Sequence, residues 1–402
     1  MTVTSPLQIL LFRHPDDTDL TSYEDAIICA FQGGKEAGGY LASGEDLGIQ
    51  MEIFSSKPGL QSSTIIDQFC HTLVIVLVDD ALLEKGDDDL WDWLADCWNH
   101  VNNSDGRHMM LPVVIEERIG ALFSKKRPGL EALQYLLTYS LGEREIRPAV
   151  LAMRILHECR LLLTSGFPVT SVHSTSCLKL FVSHAKLDGL PLAQALKELI
   201  RTLGLQSFYD ADDLPPGCNW QRELERAVGS SIIIMLRTEV YDSRPWCQQE
   251  VRWADEYATP AVLVDARTGL NFAGNSLPYD RVPSVRIPDG NLMRILFLAL
   301  REGLRFVHFI RRVEQMRDKN ELPSSIELKV FSFPPSMSAL LRACQSLNKS
   351  KEPKTTPRII LYPDPPLQAG TYEAAQALVA AYAPGALLVT PNTLVTIREE
   401  MP

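Results

Sequence analysis

Two short, uninterrupted apolar runs, Leu73-Val-Ile-Val-Leu-Val78 and Ile232-Ile-Ile-Met-Leu236, most constrain the fold of this chain. A strand that is apolar at every position has no face to offer water, so it must sit inside a sheet covered on both sides. Each run is followed by a tryptophan-bearing stretch of helical character, with Trp91 and Trp93 after the first and Trp246 and Trp253 after the second. Upstream of the first run lie a continuous apolar strand (Leu7 to Phe12), a helix from Ser22 to about Ala37, a strand (Ile49 to Phe54) and a helix from Ser62 to Cys70. Downstream come a helix from Leu90 to Val101, a strand from Met109 to Ile115 and an amphipathic helix from Arg147 to Leu163. Strands alternating with helices predict an α/β domain with a doubly wound parallel sheet.

At about 100 to 200 residues per domain, 402 residues allow two or three domains. The stretch Thr164 to Ser176, rich in Ser, Thr, Gly and Pro, reads as a linker closing a first unit at 1–165. A second unit, 178–315, repeats the grammar, with strands at Leu178 to Ser183, Gln206 to Tyr209, Ser231 to Leu236 and Ala261 to Val264. Helices lie between them, and a long one from Asn291 to Met316 closes the unit. The expected fold is therefore two flavodoxin-like parallel-sheet domains. The repetition reads as a diverged internal duplication, although shared topology alone would produce the same order. Residues 316–402 form a C-terminal α/β extension, whose last part (358–402) is too short to bury a core by itself.

Composition narrows the partners. Lys plus Arg number 39 against 50 Asp plus Glu, a net charge of −11, so no general positive field is available to hold a phosphate backbone. Nucleic acid is not an expected partner. No apolar stretch approaches the length of a membrane helix, and the N-terminus has no basic segment leading into an apolar one. The eight cysteines are scattered singly, without CxxC or a matching histidine spacing, so neither a metal site nor a disulfide framework is expected. A reducing cytoplasm fits.

Three separated pieces carry the chemistry. The first, Leu178-Lys-Leu-Phe-Val-Ser-His-Ala-Lys-Leu-Asp188, is a strand that turns polar at its carboxyl end, the edge where parallel sheets collect ligands. The second, Phe208-Tyr-Asp-Ala-Asp-Asp-Leu-Pro-Pro-Gly-Cys-Asn-Trp220, is an acidic strand end and a Pro-Pro-Gly loop. The third, Ser243-Arg-Pro-Trp-Cys-Gln-Gln-Glu250, enters a helix that carries Trp246 and Glu250 one turn apart on one face.

In that order and spacing the three pieces resemble the Toll/interleukin-receptor (TIR) domain, in the bacterial and plant-like branch with a glutamate in the third piece. The resemblance covers about 110 of the 402 residues. It implies a TIR fold for the second unit, NAD+ as substrate rather than cofactor, and Glu250 as the catalytic residue of an NAD+ glycohydrolase. It also implies substrate contacts at Ser183, His184, Ala185, Lys186, Asp210 and Trp246, and an assembly loop at Asp212, Asp213, Leu214, Pro215, Pro216 and Gly217. Activity would depend on homo-oligomerisation through TIR–TIR contacts, released by a protein or small-molecule trigger, in a bacterial anti-phage or stress response.

A lone carboxylate suits this chemistry. The nicotinamide of NAD+ is already cationic and departs as a neutral base without a general acid, so the site must stabilise positive charge growing on the ribose. Plain structural readings stand beside these roles. Glu250 could be a solvated partner of Arg252 or Arg222, Trp246 simple packing, His184 a strand-end hydrogen bonder, and Asp210 and Asp212 loop and cap residues. Lys186 is the only nearby cation for the phosphates, where animal hydrolases of the family tend to place arginines just after this strand. In the first unit, setting Trp91 against Trp246 places Ala95 at the glutamate position, and matching Trp93 instead gives Cys97, so a regulatory or assembly pseudo-domain is expected. Two further readings of the chain are a non-catalytic TIR scaffold and a nucleoside deoxyribosyltransferase-like enzyme acting at the same ribose carbon.

Overall fold

The computed structural model describes residues 5–16, 20–34, 41, 46–164, 179–203, 208–209, 220–268, 282–286, 291–319, 321–322, 326–349, 356–364 and 366–398. Its chain forms two compact units. The first takes residues 1–177, 199–205 and 296–308, and the second takes 178–198, 206–295 and 309–402.

In the first unit the elements run β1 (Leu7–Phe12), α1 (Thr21–Gln32), β2 (Gln50–Phe54), α2 (Ser62–Ile66), β3 (His71–Val78), α3 (Asp80–Lys85), α4 (Asp88–Asn102), β4 (His108–Val114), α5 (Glu117–Phe123), β5 (Leu136–Leu137) and α6 (Arg147–Thr164). The strands form one parallel sheet in the order β2-β1-β3-β4-β5. Every residue of β1 and β3 is buried, as their unbroken apolar runs require. Asp87, the first of the three acidic residues at 87–89, caps α4 by accepting from the Leu90 amide at 2.6 Å, which leaves Asp88 and Asp89 favourably placed at the positive end of the helix.

Two buried histidines make this unit sensitive to acid. The His108 side chain is fully enclosed, neither ring nitrogen has a hydrogen-bond partner, and its nearest countercharge is Asp67 at 3.5 Å. Burial pushes it down to about 4, against the help of Asp67. His157 on α6 is likewise held at about 4 by burial, with Arg160 and Arg154 adding repulsion. Each histidine binds its proton less readily folded than unfolded, so full stability is present above pH 6.5 and is lost as pH falls toward 4. By pH 5 the loss is roughly 2 kcal/mol per histidine. Urea unfolding of the full chain should therefore show a first-unit transition weakened by roughly 4 kcal/mol between pH 7.5 and 5, and His157→Leu should remove about half of that slope. An unfolding free energy that stays flat over this interval would contradict the assignment.

The second unit opens with β6 (Leu180–His184), α7 (Leu190–Thr202), β7 (Phe208–Tyr209), α8 (Trp220–Gly229), β8 (Ile232–Arg237), α9 (Pro245–Glu256), β9 (Ala261–Asp265) and β10 (Ser284–Arg286). Its sheet is again parallel, in the order β7-β6-β8-β9-β10. Both sheets thus share the flavodoxin-like order 2-1-3-4-5, as expected of an α/β protein of this kind. Long helix α10 (Leu292–Asp318) follows. It was expected to close the second unit, yet its residues 296–308 cluster with the first. Leu296, Phe297, Leu298, Ala299 and Leu300 are all buried, so the helix is apolar on more than one face.

The chain ends in β11 (Glu327–Val330), α11 (Met337–Lys349), β12 (Arg358–Leu361), α12 (Ala369–Tyr382), β13 (Ala386–Val389) and α13 (Pro391–Arg398). Its parallel sheet, β11-β12-β13, is closed by cores on both faces, one around Leu340, Cys344 and Tyr362 and one around Phe309, Val313 and Leu361. The segment 358–402, too short to bury a core alone, acquires one because β11 and α11 join it. No described helix is long and apolar enough to cross a membrane.

Candidate active site

Register places the first-piece residues. In β6 the Ser183 and His184 positions pair with Met235 and Leu236 of β8, which brings two carboxyl strand ends together at the sheet edge. Helix α9 begins with Pro245 at its first turn, where a missing amide hydrogen costs nothing. Its Cys247, Glu250, Val251, Trp253 and Ala254 face the core, and Trp246 remains 43% exposed.

Glu250 is only 7% exposed, an unusual place for a carboxylate. Its Oε2 accepts a 2.5 Å hydrogen bond from Ser183 Oγ, and Ser183 Oγ lies 2.5 Å from the Tyr241 hydroxyl. Ser183 Oγ donates its single hydrogen to Glu250, so at the second contact the Tyr241 hydroxyl donates to the serine. Ser183 is 1% exposed and Tyr241 fully buried, which makes this a closed relay in a dry environment.

The loop that carries Tyr241 is fixed from several sides. Asp188 accepts from Thr238 Oγ1 at 2.7 Å and from the Val240 amide at 3.2 Å. Arg237 grips Asp242 through a forked ion pair, and Gln248 Nε2 donates to the Asp242 carbonyl at 2.7 Å. Gly189 allows the first strand to turn sharply into α7, since a Cβ there would lie 3.0 Å from the Ala185 carbonyl oxygen and 3.2 Å from His184 Cβ.

His184 Nδ1 donates to the Val182 carbonyl at 3.1 Å, which turns Nε2 away from that bond. That Nε2 is buried and has no hydrogen-bond partner in the structure. Ala185 is buried and Lys186 exposed at the same edge. Burial, aided by the neighbouring Glu250 charge, pushes the Cys247 thiol up to about 12, which rules it out as a nucleophile near neutrality. Asp210 and the loop residues Asp212, Asp213, Leu214, Pro215, Pro216 and Gly217 lie outside the described residues. No group of metal-ligating side chains occurs among the described residues.

The structure thus unites Ser183 and Glu250, with Trp246 one helical turn away, and keeps Lys186 at the rim. Tyr241 was missed from sequence. Its signal was an aromatic hydroxyl in the polar stretch just after a central strand, at the carboxyl edge of the sheet.

Among the described residues the first unit shows no such arrangement. Its first strand ends in Leu11 and Phe12, and Phe12 stacks on Phe54 at 5.0 Å and meets Trp93 of α4 at 5.0 Å. Cys97 of α4 is fully buried. Aromatic rings fill the strand end where the second unit holds its buried polar relay.

Residues 180–267 match the family model described as TIR domain, so the second unit contains a TIR domain. The chain is also 30% identical over 105 residues to NAD(+) hydrolase PdTIR of Paracoccus denitrificans (strain Pd 1222), a match covering 25% of this chain and 35% of that protein. The chain therefore spans about a third of the length of that curated relative.

Proposed function

We propose that the second unit is an NAD+ glycohydrolase in which Glu250 is the catalytic residue. The observation that carries this reading is the buried Glu250 carboxylate at the carboxyl edge of the sheet, bonded by Ser183, which in turn is bonded by Tyr241. The TIR match and the NAD(+) hydrolase relative support it. Fixed in low dielectric, the carboxylate stabilises the cationic ribose as neutral nicotinamide leaves, and water then captures the ribose. His184 Nε2 accepts from a ribose hydroxyl, Trp246 walls the nicotinamide side, and Lys186 with Asp210 contacts the remainder of the dinucleotide.

In this reading the loop 212–217 mediates homo-oligomerisation, the first unit serves regulation or assembly, and a protein or small molecule triggers a cytoplasmic anti-phage or stress response. The domains act as 1–165, 178–315 and 316–402. No cofactor is required, because NAD+ is consumed. Incubating the purified chain with NAD+ should release nicotinamide. Nucleoside base exchange without nicotinamide release would instead favour a deoxyribosyltransferase-like enzyme, and binding of other TIR proteins without turnover a scaffold.

A further inference from the structure

The helix that carries Glu250 is held at its far end by the C-terminal segment. Asp255, in the last turn of α9, has a side chain only 10% exposed, and all three of its described donors come from the C-terminal segment. Ser336 Oγ donates to its Oδ1 at 2.9 Å, Ser338 Oγ to its Oδ2 at 3.3 Å and Arg342 Nη2 to its Oδ2 at 2.6 Å. Two residues beyond the helix, the Ala258 carbonyl accepts from Ser332 Oγ at 2.5 Å, and Ala258 packs against the core built on α11 and β12. A carboxylate in the last turn of a helix stands against the negative end of the helix dipole, so the position is unfavourable unless donors supply positive charge. Here they do, from outside the residues matched as TIR domain.

We propose that Asp255 is a positioning residue for Glu250 and that the C-terminal segment, through Arg342, Ser336 and Ser338, sets the seating of α9 and with it the turnover of the site. This rests on the proposed NAD+ hydrolysis for its kinetic consequence, though not for the grip itself. An α-helix is stiff over so short a span. Asp255 lies five positions beyond Glu250, about 7.5 Å along the axis, so an axial slip or rotation at one is passed to the other. Glu250 tolerates little of either, because its bond to Ser183 is short and its surroundings are closed. The C-terminal segment thereby becomes the element through which a trigger bound elsewhere on it would reach the reacting carboxylate.

The test uses the full chain with Asp255→Ala, Arg342→Met and the conservative Arg342→Lys, reading both steady-state NAD+ hydrolysis and amide hydrogen exchange across residues 247–254. Asp255→Ala should lower kcat about tenfold with KM within about twofold, as expected for a sub-ångström misplacement. Exchange in α9 should quicken about tenfold while exchange in α4 of the first unit stays unchanged. Arg342→Met should follow in the same direction, the double variant should be no worse than Asp255→Ala alone, and Arg342→Lys should restore most of the activity. Wild-type kcat together with unchanged α9 exchange in Asp255→Ala would overturn the proposal, as would a loss confined to KM. If the wild-type chain releases no nicotinamide, the enzymatic reading fails, and exchange alone decides the grip: faster exchange sustains it and unchanged exchange overturns it.

Discussion

Glu250→Gln is expected to lower nicotinamide release by about a thousandfold while the chain keeps its fold. The substitution preserves volume, and the amide oxygen can still accept from Ser183 Oγ, so the relay with Tyr241 survives. What disappears is the full negative charge beside a carbon that becomes cationic in the transition state. Removing a single neutral donor from a preorganised site costs a hundredfold to a thousandfold in a typical enzyme, about 3 to 4 kcal/mol. Loss of a whole charge from a dry site belongs at or above the top of that range. The melting temperature should move by only a few degrees, which separates lost chemistry from lost structure. Glu250→Ala is a poorer probe, because it takes the acceptor from the Ser183 hydroxyl and leaves a cavity.

The second large effect is expected at the relay. Ser183→Ala removes the hydrogen bond to Glu250 and the contact between Ser183 Oγ and the Tyr241 hydroxyl, costing about 1 to 3 kcal/mol of stability. Loss of this short hydrogen bond loosens the placement of the carboxylate, and turnover should fall about a hundredfold. Tyr241→Phe removes only the outer donor and should cost about tenfold. The informative variant is the double one. If Tyr241 acts on Glu250 through Ser183, the double variant turns over no more slowly than Ser183→Ala, because the tyrosine has nothing left to orient. Losses that multiply would show instead that Tyr241 reaches the substrate or the carboxylate by an independent route.

The sequence made the sheets legible for a physical reason. Runs such as Leu73 to Val78 are apolar at every position, and only a strand covered on both faces tolerates that, so β3 and β8 were placed within two residues. Ser183 and Glu250 were legible because each sits in a short ordered motif. Tyr241 was not, because its role depends on a contact 58 residues away in sequence that exists only once β6 and β8 pair. Short elements escaped for a similar reason. β5 has two residues and α5 seven, too few to show a period. The helix expected to run from Ser62 to Cys70 stops at Ile66, whose carbonyl accepts instead from Thr72 Oγ1 at 2.9 Å. The grip on Asp255 was invisible because three donors from a distant stretch converge on one carboxylate, and no local pattern announces it.

The most direct measurement follows nicotinamide and NAD+ together by proton NMR, with the wild-type chain and Glu250→Gln at equal concentration and equal folded fraction. The wild type should form nicotinamide mole for mole with the NAD+ lost, and the variant should stay near the buffer rate. Equal release by both proteins, or none by an assembled wild-type chain, would contradict the proposed function.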